Sequence, residues 1–156
     1  MSLIASLLSV SHVAVDVDAG SKKAVFERAA ALLEADAGIS RPQIVDSLLA
    51  RERMGSTGLG QGIAIPHGRV KGIKQALGAF LRLRTPIPFE APDDRPVSLV
   101  FVLLVPERAT DVHLEILSEL AQMFSDKLFR SQLSGALDAT AAQRLIVEWR
   151  AHASNT

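Results

Sequence analysis

Val97-Ser-Leu-Val-Phe-Val-Leu-Leu-Val105 is a nearly continuous apolar run, rich in β-branched residues, and Pro106 follows it. A strand with one face in water alternates polar and apolar side chains. This run does not alternate, so both of its faces must be covered. It therefore reads as the central strand of a sheet flanked by helices, in an α/β layer fold. Downstream, Asp111 or Thr110 can cap a helix whose Leu114, Leu117, Leu120, Ala121 and Phe124 recur at helical spacing. Two shorter helices are expected at Lys127 to Leu133 and Ala139 to Ala151. Upstream, Thr85 to Arg95 carries three prolines and Asp93-Asp94 and reads as a loop, while Ala76 to Leu83 is a strand pattern weakened by Gly78.

The N-terminal half continues the alternation of elements. His12 to Val17 is a short Val-rich strand pattern, with His12 packing within it. Ser21 can cap a helix with Ala24, Val25, Ala29, Leu32 and Leu33 on one stripe, ended by Gly38. Pro42 sits in the first turn of a second helix that buries Ile44, Val45, Leu48 and Leu49. No internal repeat, low-complexity block or long linker divides the chain, so a single domain over 1–156 is expected, with its core at about 3–152.

Composition narrows the function. The 156 residues include 17 Lys+Arg and 17 Asp+Glu, giving zero formal net charge. That balance lacks the basic footprint of a nucleic-acid or anionic-membrane binder. Cysteine is absent, which excludes disulfides and thiolate chemistry. No Lys or Arg precedes Lys22 to form the basic start of a signal peptide, and the apolar run ending at Val105 is too short to span a bilayer. A cytoplasmic protein without membrane insertion is the expectation.

Chemistry concentrates in Arg51-Glu-Arg-Met-Gly-Ser-Thr-Gly-Leu-Gly-Gln-Gly-Ile-Ala-Ile-Pro-His67-Gly-Arg69. A loop rich in glycine and hydroxyls leads into a short strand, Ile63 to Ile65. Pro66 is expected to stop that strand, leaving His67 at a solvent-facing edge with Gly68 sparing room beside it. Glycine N–H groups and the hydroxyls of Ser56 and Thr57 can line an anion. Nucleotide motifs fail here: Gln61-Gly62 stands where a Walker loop needs Lys-Ser/Thr, and Ile63 where a dinucleotide loop needs its third glycine. His113 falls in the first turn of the helix after Pro106, where it can hydrogen-bond or orient a second ring. Arg51 and Arg69 offer guanidinium groups to phosphate oxygens. His152 belongs to a polar tail, and four histidines without close pairing give no metal site.

Leu48-Leu-Ala-Arg-Glu-Arg-Met-Gly-Ser-Thr-Gly58, Gly62-Ile-Ala-Ile-Pro-His-Gly68, and Leu103-Leu-Val-Pro106 followed by His113-Leu114 resemble the IIA components of the bacterial phosphoenolpyruvate-dependent phosphotransferase system. The resemblance is to the mannitol/fructose type, and within it to the nitrogen-regulatory branch. It implies a mixed β-sheet sandwiched by helices and a phosphoryl acceptor, through Nε2, at His67. It further implies an orienting, hydrogen-bonding role for His113 and phosphate stabilisation by Arg51. Ser56, Thr57, Gly58 and Gly68 are candidates for the phosphate loop. No cofactor and no metal are implied. The implied partners are an HPr-type phosphocarrier and either regulatory target proteins or a IIB domain. The matching region has no fused transporter or IIB segment, which suits a free-standing regulator. A sugar-transport IIA that passes phosphate to a IIB domain is the competing reading, and a binding module with a vestigial histidine is another.

Overall fold

The computed structural model describes residues 4–108 and 111–149. Thr110 as an alternative cap, the expected helix end at Ala151, His152 and both ends of the expected 3–152 core lie outside these residues. In chain order the elements are β1 (Val13–Val17), α1 (Lys22–Ala37), α2 (Arg41–Arg53), β2 (Gly58–Gly60), β3 (Ile63–Ala64), β4 (His67–Val70), β5 (Leu77–Ile87), β6 (Val97–Pro106), α3 (Asp111–Phe124), α4 (Lys127–Ser134) and α5 (Ala139–Glu148). The strands form one mixed sheet in the order β1-β5-β6-β3-β2, with β4 also pairing β6.

The apolar run is central, as its pattern requires. Along β6, Val100, Val102 and Leu104 face one core together with α1 and α2. Leu99, Phe101, Leu103 and Val105 face a second core, formed with α3, α4, α5 and the N-terminal turns. Every residue from Leu99 to Val105 is buried. Successive side chains on opposite faces thus nucleate two cores, and the sheet is sandwiched by helices.

Helix boundaries follow local chemistry. The Ser21 hydroxyl accepts the Ala24 N–H, and Gly38 closes α1 at φ 69°. The Ser40 hydroxyl accepts the Gln43 N–H at the start of α2. Asp126 and Asp138 cap α4 and α5 in the same way, accepting from Phe129 N and Ala141 N. At the C-terminal end of α4, the Arg82 guanidinium donates to the Leu133 and Ala136 carbonyls, satisfying acceptors that a helix end leaves open.

Four features differ from expectation. β1 starts at Val13, because His12 closes a short 3-10 turn and buries its ring against Asp36, with Nε2 and Oδ2 2.5 Å apart. β5 runs on to Ile87 through Pro86, with a register irregularity between Arg82 and Ile87. On α3 the buried stripe is Ile116, Leu120, Met123 and Phe124. Leu114 and Ala121 are exposed instead, since two apolar stripes overlap on this helix and only one faces the core. Finally, the strand before Pro66 does stop, at Ala64, but it is only interrupted, and His67 opens a new strand instead of a free edge. Ile63 pairs with Leu99 and His67 with Leu103, the same offset on either side of the proline. Pro66 forfeits one donor, yet its carbonyl still accepts the Leu103 N–H at 2.9 Å, so the chain resumes in register as β4.

Gly78, a weakness in the sequence pattern, has a packing reason. A Cβ there would lie 2.6 Å from Leu7 Cδ1 and 2.9 Å from Phe101 Cζ, and the Gly78 N–H donates to the Leu7 carbonyl. Gly78→Ala should therefore destabilise the fold by about 1–3 kcal/mol, read as a lower urea midpoint. An unchanged midpoint would show that the N-terminal turn is not packed onto β5.

Candidate active site

His67 opens β4 opposite Leu103, and cross-strand partners share a face, so its ring lies on the α3 side of the sheet. Gly68, opposite Leu104, turns to the α2 side and presses against Ser47, leaving no space for a Cβ. The Ser47 hydroxyl in turn donates to the Arg69 carbonyl. The glycine at this position serves the close approach of β4 to α2.

The ring is half-buried, and its Nδ1 lies 2.9 Å from the Ile65 carbonyl oxygen. A carbonyl can only accept, so Nδ1 carries the hydrogen. In the neutral ring Nε2 then holds a lone pair. The geometry has a backbone cause. The Ile65 N–H bonds Thr57 on the β2 side, and the Ile65 carbonyl lies just beyond the end of that hairpin. The His67 ring supplies the donor. Burial holds the imidazole below the usual histidine pKa, and the Arg51 charge adds to that; the Ile65 hydrogen bond and the Glu52 carboxylate oppose it. The neutral form is therefore favoured around neutral pH.

Arg51, in the last turn of α2, and His113, in the first turn of α3, join His67 around one cleft of about 570 Å³. Arg69 also lines it. The Arg51 Nη1 donates to the Gly55 carbonyl at 2.8 Å, which leaves further guanidinium donors for another acceptor. Met54 and Leu114, 83% and 65% exposed, put large apolar side chains on the cleft walls.

The glycine and hydroxyl loop is arranged differently from an anion cradle. The Ser56 hydroxyl donates to the Phe89 carbonyl and accepts the Gly58 N–H. The Thr57 N–H and hydroxyl both go to the Glu52 carboxylate. Gly58 to Gly60 is strand β2, joined to β3 by Gln61 and Gly62 at φ 59° and 80°, the twist of a tight hairpin. None of Ser56, Thr57 or Gly58 lines the cleft. Sequence reading missed Glu52, whose only signal is its place between Arg51 and Arg53 at a helix end.

Residues 6–149 match the family described as phosphoenolpyruvate-dependent sugar phosphotransferase system, EIIA 2. The chain belongs to that family. A nitrogen regulatory protein of Pseudomonas aeruginosa is 42% identical over 149 residues, covering 95% of this chain and 97% of that protein. The crystal structure of the nitrogen regulatory protein IIA-Ntr from Neisseria meningitidis superposes with a TM-score of 0.89 at 52% identity, covering 93% of this chain and 99% of that one. The mannitol IIA of Escherichia coli shares the fold, at a TM-score of 0.75 and 20% identity over 89% of this chain and 98% of that one. The resemblance to IIA components in the sequence is thus borne out, as is the helix-flanked mixed sheet it implied.

The His67 environment predicts a titration. Its ring protons, followed by NMR, should show a midpoint below about 6.5. The folded state then binds protons less readily than the unfolded chain, so this group's contribution to stability is full above that pH and is lost as pH falls. Arg51→Met should raise the midpoint by removing a repelling cation. A midpoint unmoved by Arg51→Met would mean that the guanidinium does not face the ring.

Proposed function

We propose that the protein is a phosphocarrier of the phosphoenolpyruvate-dependent phosphotransferase system, taking a phosphoryl group from an HPr-type carrier on His67 Nε2. The observation that carries this reading is the commitment of the Nδ1 hydrogen to the Ile65 carbonyl, which leaves Nε2 as the ring's nucleophile. Family membership supports the system, and the ring geometry supports Nε2 as the acceptor atom.

The transfer is a displacement at phosphorus. The Nε2 lone pair forms the new P–N bond as the P–N bond of the donor phosphohistidine breaks, and its electron pair returns to the donor ring. No proton needs to move at His67. The phosphorylated ring takes on positive charge, which the hydrogen bond from Nδ1 to the Ile65 carbonyl stabilises. Such a transition state is loose, with charge spread over the equatorial oxygens, so positioning and charge complementarity do most of the work. The Arg51 guanidinium donors not used on Gly55 serve those oxygens. His113, across the cleft, hydrogen-bonds and orients the phosphoryl group or the acceptor ring.

The close relatives named nitrogen regulatory protein support a regulatory IIA role, with phosphorylation state read by target proteins in the cytoplasm. The similarity to mannitol IIA supports only the fold. A transport role would require efficient onward transfer to a sugar-specific IIB domain, and the regulatory reading expects none.

Incubation with phosphoenolpyruvate, enzyme I and an HPr-type carrier should add one acid-labile phosphoryl group to the intact mass. His67→Ala should abolish the gain. His113→Ala should still be labelled, about 10- to 100-fold more slowly. Phosphorus NMR should assign the adduct to Nε2. Labelling that survives His67→Ala, or an Nδ1 adduct, would overturn the assignment.

A further inference from the structure

Glu52 touches none of the reacting groups described above, yet its side chain is only 6% exposed. Its carboxylate accepts three hydrogen bonds: Thr57 N–H at 3.1 Å and Lys22 Nζ at 2.9 Å on Oε2, and the Thr57 hydroxyl at 2.6 Å on Oε1. Lys22 also pairs with Glu90 and lies 5.0 Å from the centre of the Phe89 ring. Phe89 in turn takes the Ser56 hydroxyl on its carbonyl. Residues 54–57 are therefore clamped between the first turn of α1, the last turn of α2 and the loop after β5.

The clamp bears on the reactive cleft through one carbonyl. Gly55, between Glu52 and Thr57, has φ 151°, a conformation that side-chain-bearing residues rarely adopt. Its carbonyl receives Arg51 Nη1. With Thr57 fixed to Glu52, the position of the Gly55 carbonyl is set, and with it the direction of the guanidinium. We infer that Glu52 is a positioning residue for phosphoryl transfer, aiming Arg51 into the His67 cleft by holding the 54–57 loop through Thr57 and Lys22. The inference rests on the phosphocarrier reading and adds to it the residue that orders its cation.

The same arrangement argues against a merely structural carboxylate. A glutamine at position 52 keeps the shape but cannot accept from both Thr57 donors and Lys22 at once, and it leaves the Lys22 charge with only the exposed Glu90. The loop would lose its anchor while both hydrophobic cores stayed intact, because Lys22, Glu52 and Thr57 belong to neither, and Phe89, which does, keeps its own packing.

The test is a double-mutant cycle on the rate of phosphoryl transfer from a phosphorylated HPr-type carrier, using wild type, Glu52→Gln, Arg51→Ala and the double variant. Glu52→Gln should lower kcat roughly tenfold with little change in KM for the carrier. In the Arg51→Ala background it should cost nothing further, because it acts through that guanidinium. Circular dichroism checks that each variant is folded. If Glu52→Gln does not fold, Thr57→Val removes one donor and keeps the charge, and it should show the same non-additivity on a smaller scale. Multiplicative losses, or a wild-type rate for folded Glu52→Gln, would overturn the inference while leaving the phosphocarrier intact. Wild-type protein that takes no label from an active carrier would overturn both.

Discussion

The parallel pairing of β3 and β4 with β6, carried across Pro66 without a slip, is the constraint on which the site depends. A one-residue shift in a strand sends every side chain to the other face. Here the shift is blocked physically. The residue facing α2 must be Gly68, since Ser47 leaves no room for a Cβ, and the residues on either side are His67 and Arg69. Sliding the strand either way would drive a large polar side chain into that contact. The register therefore places the His67 ring on the α3 face, where the end of α2 and the start of α3 bring Arg51 and His113 to the same cleft.

The second level of control is electrostatic. A chain with no net charge gains little from long-range fields, so what matters is the handful of charges close to the ring. Burial and the Arg51 cation favour the neutral imidazole, while the Ile65 carbonyl and Glu52 oppose them. On the phosphocarrier reading these opposed influences are useful together: the ring would react from its neutral form and must then tolerate positive charge. The Ile65 carbonyl meets both needs, fixing the tautomer before reaction and stabilising the charged ring after it.

How far the sequence could be read follows from where the physics is local. Strand β6, the caps at Ser21 and the stop at Gly38 were legible because periodicity and capping depend on neighbouring residues. So was the gathering of Arg51, His67 and His113, through motif resemblance. Pro66 was legible as an interruption, but not the resumption after it, because that depends on β6 continuing to pair and on Leu103 donating to the Pro66 carbonyl. The Ser56 and Thr57 hydroxyls misled because their partners, Phe89 and Glu52, are set by the folded loop and not by composition. The His12 pairing with Asp36 spans 24 positions and no local pattern announces it.

Leu114 shows how one misreading and the function meet. Its helical spacing suits a buried stripe, yet α3 rotates Ile116 and Leu120 into the core and leaves Leu114 exposed on the cleft, near Met54. An apolar residue left outside costs hydrophobic burial of about 1.5–3 kcal/mol that a core position would recover. On the phosphocarrier reading that exposure has a use. Two large apolar side chains beside a cationic cleft let a docking carrier expel water around His67, and an ion pair strengthens as its surroundings dry. Arg51 then acts on the phosphoryl group most strongly when the donor is seated, so transfer to the partner is favoured over loss of the group to solvent.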